Sequence, residues 1–282
     1  MRAPHNRHVP LELLSFVAAI GAGAFGAMAG IGGGLIIVPL LTVALGVPIQ
    51  LAIAASLLGV IAVSTSAGAT FLHRGLVDRR LGVVLLVATV VGGIIGGYTA
   101  GLLDGRTLSA IFGLVLVAVA VQMLRSRSRP AVEEVVELPG RLELDASYVE
   151  PTTGEEVAYR VRRIPLGAAI SVLAGALSGL LGVGGGVVNV PTMSMLMGVP
   201  IRVALTTSTY MLAATAAASA VLYYSRGQVD ALLAAPVVVG VVLGAQLGAR
   251  LAQRVPQHIL RLVFVGVALF FAVQMLLRAV NS

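Results

Sequence analysis

The stretch Gly30-Ile31-Gly32-Gly33-Gly34 is followed by Pro39, and it returns as Gly182-Val183-Gly184-Gly185-Gly186 followed by Pro191. The two copies lie 152 residues apart (184 − 32 = 152). Each copy interrupts a long hydrophobic run in which a helix would otherwise continue, because glycine is a poor helix former and proline lacks a backbone donor. The sequence therefore predicts two broken helices in equivalent places.

The composition indicates a membrane protein. Hydrophobic residues make up 58% of the chain, charged residues make up 11%, and the mean hydropathy is +0.99. Such a chain has too little polar surface to cover a water-soluble globule. Because lipid offers no partner to backbone groups, the apolar segments must form helices or a closed barrel. They lack the period-two alternation of a barrel, so we predict an all-α polytopic membrane protein.

The charged residues indicate topology rather than a binding surface. All 19 basic residues are arginine, nearly all of them lie between apolar segments, and the formal net charge is +7. Basic loops of this kind are typical of the cytoplasmic side of a membrane. No basic patch is combined with stacking aromatic residues, so we expect no nucleic-acid partner. The sequence contains no cysteine, which excludes disulfides and thiol chemistry.

The match between the two halves continues beyond the glycines. The matched pairs at the same offset include Gly46/Gly198, Pro48/Pro200, Ala52/Ala204, Ser56/Ser208, Gly75/Gly227, Asp78/Asp230, Gly92/Gly244 and Gly96/Gly248. A gapless run of this length indicates a tandem duplication. We therefore divide the chain into a first transmembrane repeat (1–124), a linker (125–163) and a second transmembrane repeat (164–282).

Each repeat begins with a broken apolar block and continues with three apolar spans. The blocks cover 9–46 and 164–197, and the spans lie near 50–72, 81–102, 107–124, 201–224, 230–252 and 257–279. Each block is long for one crossing of about 20 residues and short for two, which favours a broken or re-entrant segment. A single crossing would make the repeats parallel, and a hairpin of two segments would make them inverted. The arginine count is the same for both, and we favour inverted repeats because many transporters use them.

The linker 125–163 is the one soluble stretch of the sequence. Apolar and polar residues alternate from Arg141 to Val149 and from Glu155 to Arg163, on either side of Pro151-Thr152-Thr153-Gly154. This pattern predicts a β-hairpin. Arginines at both ends of the linker place it on the cytoplasmic side of a cell membrane that the chain crosses several times. We expect it to serve as a connection between the repeats.

A glycine break at membrane depth is a candidate anion site. The helix that follows it presents backbone N–H donors and the positive end of its dipole, so no charged side chain is needed. Polar side chains in the apolar spans add further donors. Close helix packing by small residues is the alternative role for such glycines. The predicted substrate-binding residues are Gly32, Gly33, Gly34, Ser56, Gly184, Gly185, Gly186, Asn189, Thr207 and Ser208.

Four further residues receive structural or gating roles, namely Pro39, Pro191, Asp78 and Asp230. Capping of the following helix is the favoured role for the two aspartates. Apart from Glu12, no ionisable side chain lies deep in an apolar span. Intramembrane enzymes and metal sites usually need such groups. We therefore predict no enzymatic activity, no catalytic residue, no metal ligand and no cofactor.

These motifs together resemble the sulfite exporter TauE/SafE family of membrane permeases. The residues that carry the resemblance are the two glycine motifs with their prolines, Gly46-Val47-Pro48, Ala52, Ser56 and the pair Gly75 and Asp78, with the same set in the second half. The resemblance implies a secondary transporter that moves sulfite, an organosulfonate or another sulfur-containing anion. An anion channel and a non-transporting membrane scaffold are the alternatives. The sequence leaves the oligomeric state and the direction of transport open.

Overall fold

The computed structural model describes residues 8–29, 33–73, 75–125, 144–149, 156–251 and 257–281 of the 282-residue chain. Within these ranges the chain forms ten α-helices, two π-helical turns and one two-stranded sheet. Seven of the helices are long and apolar enough to cross a membrane. The predicted helical architecture with several membrane crossings is confirmed at this level.

The helices follow the same order in the two halves. The first half contains α1 (His8–Ala29), α2 (Gly34–Pro39), a π-helical turn (Leu40–Ala44), α3 (Ile49–His73), α4 (Arg79–Ala100) and α5 (Gly105–Arg125). Two strands follow, β1 (Leu144–Val149) and β2 (Glu156–Val161). The second half contains α6 (Ile164–Leu181), α7 (Gly186–Pro191), a π-helical turn (Thr192–Leu196), α8 (Ile201–Ser225), α9 (Ala231–Leu251) and α10 (Gln257–Asn281). Helices α2 to α5 each begin 152 residues before their counterparts α7 to α10.

Each broken block folds back on itself. In the second half, α7 and its π-helical turn return along α6, so that the Arg162 N–H donates to the Met197 carbonyl oxygen at 3.0 Å. Gly167, near the start of α6, lies against the Met197 side chain. In the first half, a Cβ atom on Gly33 would lie 3.8 Å from the Cα of Gly23 in α1. The chain therefore reverses its direction at the glycines.

Pro39 and Pro191 mark the point where each returning helix changes its pitch. They are the last residues of α2 and α7, and a π-helical turn follows each of them. A proline has no N–H for the regular helical ladder, which accounts for the widened turn directly behind it. The two prolines thus shape the returning segment without contributing a polar group.

Glycines allow α4 to pack closely against α6. A Cβ atom on Gly92 would lie 2.0 Å from the carbonyl oxygen of Val172, and one on Gly96 would lie 2.0 Å from that of Ala176. The second contact lies four residues after the first in both helices, so α4 and α6 run parallel. Only a residue without a side chain permits this approach between two backbones.

The same contact recurs between α1 and α9. A Cβ atom on Gly244 would lie 2.1 Å from the Ile20 carbonyl oxygen, and one on Gly248 would lie 2.1 Å from that of Ala24. All four residues stand 152 positions from their counterparts in the α4–α6 pair. Each half therefore contributes one glycine-lined helix to a contact with the other half.

The linker forms the predicted β-hairpin. Strands β1 and β2 are antiparallel, with a register that runs from Leu144 opposite Val161 to Val149 opposite Glu156. Residues 141–143 and 150–155 of the predicted hairpin lie outside the described residues. Arg162 and Arg163, predicted as strand residues, instead lead into α6. The backbone of Arg163 takes a left-handed conformation there, with φ of 54°, and Arg162 bonds to Met197.

The hairpin is packed against the helices and is not a free connection. Val161 is completely buried and Tyr148 is 9% exposed. Both join an apolar cluster with Met193 and Met197 from the returning segment and Val203 from α8. Burial of these side chains holds the hairpin on the end of the helical bundle.

A hydrogen-bonded chain ties the hairpin to the loop between α3 and α4. The Tyr159 hydroxyl donates to Asp78 Oδ2 at 2.9 Å. The Asp78 N–H donates to Thr207 Oγ1 at 3.0 Å, and the Thr206 hydroxyl donates to the Leu76 carbonyl oxygen. Burial raises the pKa of Tyr159, and the neighbouring Asp78 carboxylate raises this pKa further. The phenol therefore stays protonated and remains a donor to Asp78.

Substitution of Tyr159 by phenylalanine is expected to loosen the hairpin. The change removes a hydrogen bond to a carboxylate, a loss of about 1.5–3 kcal/mol. We expect faster tryptic cleavage after Arg160 and Arg162. Because folding raises the pKa of Tyr159, the contribution of this contact to stability is complete below about pH 10 and decreases as the pH rises toward the higher pKa of the folded state. Tyr224→Phe is the matched control, since Tyr224 is 74% exposed; equal cleavage rates in both variants would contradict the assignment.

Candidate functional site

The two glycine breaks are in direct contact. Gly34 begins α2, and a Cβ atom on it would lie 2.5 Å from the Gly182 carbonyl oxygen and 3.1 Å from that of Val183. Ser56 of α3 donates its hydroxyl to the same Gly182 oxygen at 2.7 Å. Backbone groups of the second break therefore lie against the start of the helix that follows the first break.

Replacement of Ser56 by alanine is expected to destabilise this junction. Ser56 is completely buried, so the change leaves the Gly182 carbonyl oxygen without its side-chain donor. Such an unpaired buried group costs about 1–3 kcal/mol. A lower Tm in detergent would report the loss. Thr65→Ala is the control, because the exposed Thr65 hydroxyl bonds only to its own helix at Ile61; a Tm equal to that of the control would refute the structural role.

The second break depends on glycine at three positions. Gly182 and Gly184 have φ values of 68° and 70°, in the left-handed region that side chains disfavour. The Gly182 N–H donates to the Ser178 carbonyl oxygen at 2.8 Å, which ends α6. A Cβ atom on Gly185 would lie 2.9 Å from the carbonyl oxygen of Ala174. The chain can therefore reverse tightly against α6 only with glycines here.

Several buried polar atoms at the second break lack a partner. Among the described residues, Ser178 Oγ, Asn189 Oδ1 and Ser208 Oγ have no hydrogen bond although the three side chains are at most 2% exposed. A Cβ atom on Gly186 would lie 3.4 Å from Ser208 Oγ. Buried polar groups are usually paired, so such atoms mark a place where a ligand or water can bind.

A cavity of about 130 Å³ lies beside the second break, between α5, α6 and α7. It is mostly apolar, and its lining includes Gly184, Gly185, Ser178 and Gln122. A water molecule occupies roughly 30 Å³ in the liquid, so the space suits a small solute. Ser178 was not among the predicted site residues. It lies four positions before Gly182 in the same apolar block, and this closeness to the glycine motif is the sequence feature that could have identified it.

The residues predicted around the first break contribute less to the candidate site than expected. Gly32 lies outside the described residues. Gly33 precedes α2 with φ of 70°, and its carbonyl oxygen accepts from the N–H groups of Ile36 and Ile37. Thr207 is not brought to the break, because its hydroxyl accepts from Asp78 and its methyl group faces Gly82 of α4.

The two aspartates cap the helices that follow them. Asp78 Oδ1 accepts from the Leu81 N–H at 3.0 Å at the start of α4. Asp230 Oδ1 accepts from the Leu232 N–H at 2.9 Å at the start of α9. A side-chain acceptor at a helix start satisfies donors that the helix itself leaves unpaired. Only Asp78 has the additional contact with Tyr159.

The chain is similar in sequence to known proteins. The family model described as sulfite exporter TauE/SafE matches residues 15–275. The chain is 30% identical over 227 residues to the probable membrane transporter protein YunE of Bacillus subtilis (strain 168), an alignment that covers 78% of this chain and 80% of that protein. It is 27% identical over 239 residues to a probable membrane transporter protein of Xylella fastidiosa (strain 9a5c), covering 82% of each. No solved structure matches this chain significantly.

The matched region contains both glycine breaks and the hairpin between the halves, and it ends within α10. The chain belongs to the sulfite exporter TauE/SafE family.

Proposed function

We propose that the protein is a secondary transporter that moves a small anion across the membrane by alternating access. The observation that carries this proposal is the contact between the two breaks, where Gly34 lies against the Gly182 and Val183 oxygens. Unpartnered polar atoms of Ser178, Asn189 and Ser208 accompany this contact. Membership of a transporter family supports the same function.

We also infer that the halves are duplicated units of opposite orientation. Each half has five segments, because the broken block forms two of them. An odd number of segments inverts the second copy relative to the first. The parallel packing of α4 with α6, the counterpart of α1, agrees with this orientation, as does the matching parallel contact of α1 with α9. Both breaks would then reach the middle of the membrane from opposite sides.

The proposed substrate is sulfite, an organosulfonate or a related sulfur-containing anion. Support comes from the family description. Backbone N–H groups at the helix starts, the Ser208 hydroxyl and the Asn189 amide would donate to the anion oxygens. The arginine-rich side that carries the hairpin would face the cytoplasm, and the membrane would be the cell membrane.

Flux measurements test the function. Purified protein in proteoliposomes should transport sulfite or one member of a sulfonate panel with saturable kinetics. Flux that rises linearly with concentration, together with large single-channel currents, would identify an anion channel instead. A protein without flux and without any anion-dependent thermal shift would contradict transport and favour a scaffold role.

Replacement of Asn189 by alanine is expected to lower kcat/KM for the transported anion roughly tenfold, the value of one hydrogen bond to a charged group. Asn189 is 1% exposed, and its Oδ1 atom has no hydrogen bond within the described part of the chain. The variant should therefore fold normally. Ser194→Ala is the matched control on the same returning segment, because the Ser194 hydroxyl bonds to Val190 of its own helix. Unchanged kinetics in Asn189→Ala would remove this residue from the site.

A further inference from the structure

A second cavity lies between the β-hairpin and the loop that joins α3 to α4. Its volume is about 340 Å³, and its lining includes Arg79, Arg80, Leu76, Tyr148 and Val203. Pockets for small organic molecules usually measure 300–1,000 Å³. The cavity is therefore large for a simple oxyanion and suitable for a small organic molecule.

Two arginines give this cavity its charge. Arg79 and Arg80 are exposed, and neither has an ion pair or a side-chain hydrogen bond within the described ranges. The Asp78 carboxylate also lines the cavity, but Oδ1 already accepts from Leu81 and Oδ2 from Tyr159. The guanidinium groups are thus the available charged partners for a ligand, and guanidinium groups bind sulfonate, phosphate and carboxylate groups with paired hydrogen bonds.

The arginine pair departs from the internal repeat. At the matched positions the second half has Ala231 and Leu232, although Gly75 and Asp78 keep their counterparts Gly227 and Asp230. The general excess of arginine on one side explains which face carries the pair. It does not explain why both arginines line the cavity that the hairpin closes. The hairpin supplies the remaining wall through Tyr148, Tyr159 and Ser147, whose hydroxyl donates to Glu156.

We propose that this cavity is a binding site for an organic anion, separate from the glycine breaks. The arginines hold a sulfonate, phosphate or carboxylate head, and the apolar body lies against Leu76, Tyr148 and Val203. The ligand bridges the hairpin and the α3–α4 loop, so it stabilises the docked hairpin. The source of the anionic group is a soluble metabolite or a lipid headgroup.

Binding of benzenesulfonate to the full-length protein in phosphatidylcholine nanodiscs tests the site by calorimetry and by Tm. The double variant Arg79→Ala/Arg80→Ala is expected to bind roughly tenfold more weakly or worse, since it loses charge-assisted hydrogen bonds. Arg106→Ala is the control, because Arg106 is also exposed but does not line the cavity. It should bind benzenesulfonate as the wild type does.

Two further arms separate this site from the transport site and from lipid. Asn189→Ala should keep the arginine-dependent binding even if its flux is low, and loss of binding in Asn189→Ala alone would overturn the proposal. Nanodiscs that contain phosphatidylglycerol identify a lipid ligand if this lipid raises the Tm of the wild type but not of the double variant. If neither benzenesulfonate nor phosphatidylglycerol stabilises the wild type more than the double variant, the proposal is wrong. An unaltered rate of tryptic cleavage after Arg160 and Arg162 shows that the double variant keeps its hairpin docked, since the substitutions themselves remove only the cleavage sites at positions 79 and 80.

Discussion

Replacement of Gly34 by alanine is expected to reduce anion flux by about tenfold to a hundredfold. The added methyl group would lie 2.5 Å from the Gly182 carbonyl oxygen and 3.0 Å from Ser56 Oγ. Overpacking of this kind costs about 1–3 kcal/mol, and each 1.4 kcal/mol lowers the population of a competent arrangement about tenfold. The variant should therefore separate the two breaks. Flux in proteoliposomes, normalised to the amount of folded protein, measures the effect.

Gly21→Ala is the matched control for this prediction. Gly21 lies in α1 of the same half, and no atom would lie within 4 Å of a Cβ atom added there. We expect wild-type flux from the control. If Gly34→Ala also transported at the wild-type rate, the contact between the breaks would have no part in transport.

Replacement of Gly96 by alanine is expected to lower the free energy of unfolding by about 3 kcal/mol or more. The new Cβ atom would lie 2.0 Å from the Ala176 carbonyl oxygen and 2.7 Å from the Ala176 carbonyl carbon. Both are backbone atoms and cannot move aside as a flexible side chain can. The variant should therefore force α4 away from α6. Its Tm in detergent and its yield of monodisperse protein report the change.

The sign of the change in Tm on replacing a glycine by alanine distinguishes an effect of helix packing from an effect of helix propensity. Gly266 in α10 has open space around it, so Gly266→Ala should be neutral or stabilising by up to about 1 kcal/mol. Gly248→Ala should behave like Gly96→Ala, because Gly248 meets Ala24 in the equivalent contact. A Tm for Gly96→Ala at or above that of Gly266→Ala would show that stability does not depend on the close backbone contact between α4 and α6.

The two breaks are not equivalent in their polar groups. Ser56 donates to Gly182, whereas its counterpart Ser208 has no hydrogen bond within the described residues. Asn189 stands where the first half has Ile37, and Ser178 stands where it has Gly26. The second break therefore has more polar atoms available for a ligand. This difference makes Asn189 the most informative single position for the transport measurement.

The loop between α3 and α4 also differs from its counterpart between α8 and α9. On the hairpin side, the loop is held by Thr206, by Thr207 and by Tyr159. The positions of the two threonines are taken by Ala54 and Ala55 in the first half. A movement that opens the hairpin side would have to release these bonds. We therefore expect Tyr159→Phe to change the rate of transport as well as the proteolysis of the hairpin.

Much of the architecture was predictable because it depends on local properties of the chain. The lengths of the apolar runs predict the membrane-spanning helices. Gly33, Gly34 and Pro39 interrupt the first broken block, because glycine and proline disfavour a continuous helix. Alternation of apolar and polar residues likewise identified strands β1 and β2. The contact of α3 with the second break could not be predicted from local sequence patterns, since Ser56 and Gly182 are 126 residues apart.

The sequence by itself therefore determined the membrane class, the family resemblance, the helices and the position of both breaks. Only the tertiary structure decided which polar groups meet. Thr207 accepts a hydrogen bond from Asp78, Asn189 Oδ1 has no partner among the described residues, and Ser178 lines the cavity beside the second break. It also docked the hairpin over the arginine pair. The physical reason is that helix and strand formation follows from neighbouring residues. The partner of a buried polar atom is instead set by packing between segments that are distant along the chain.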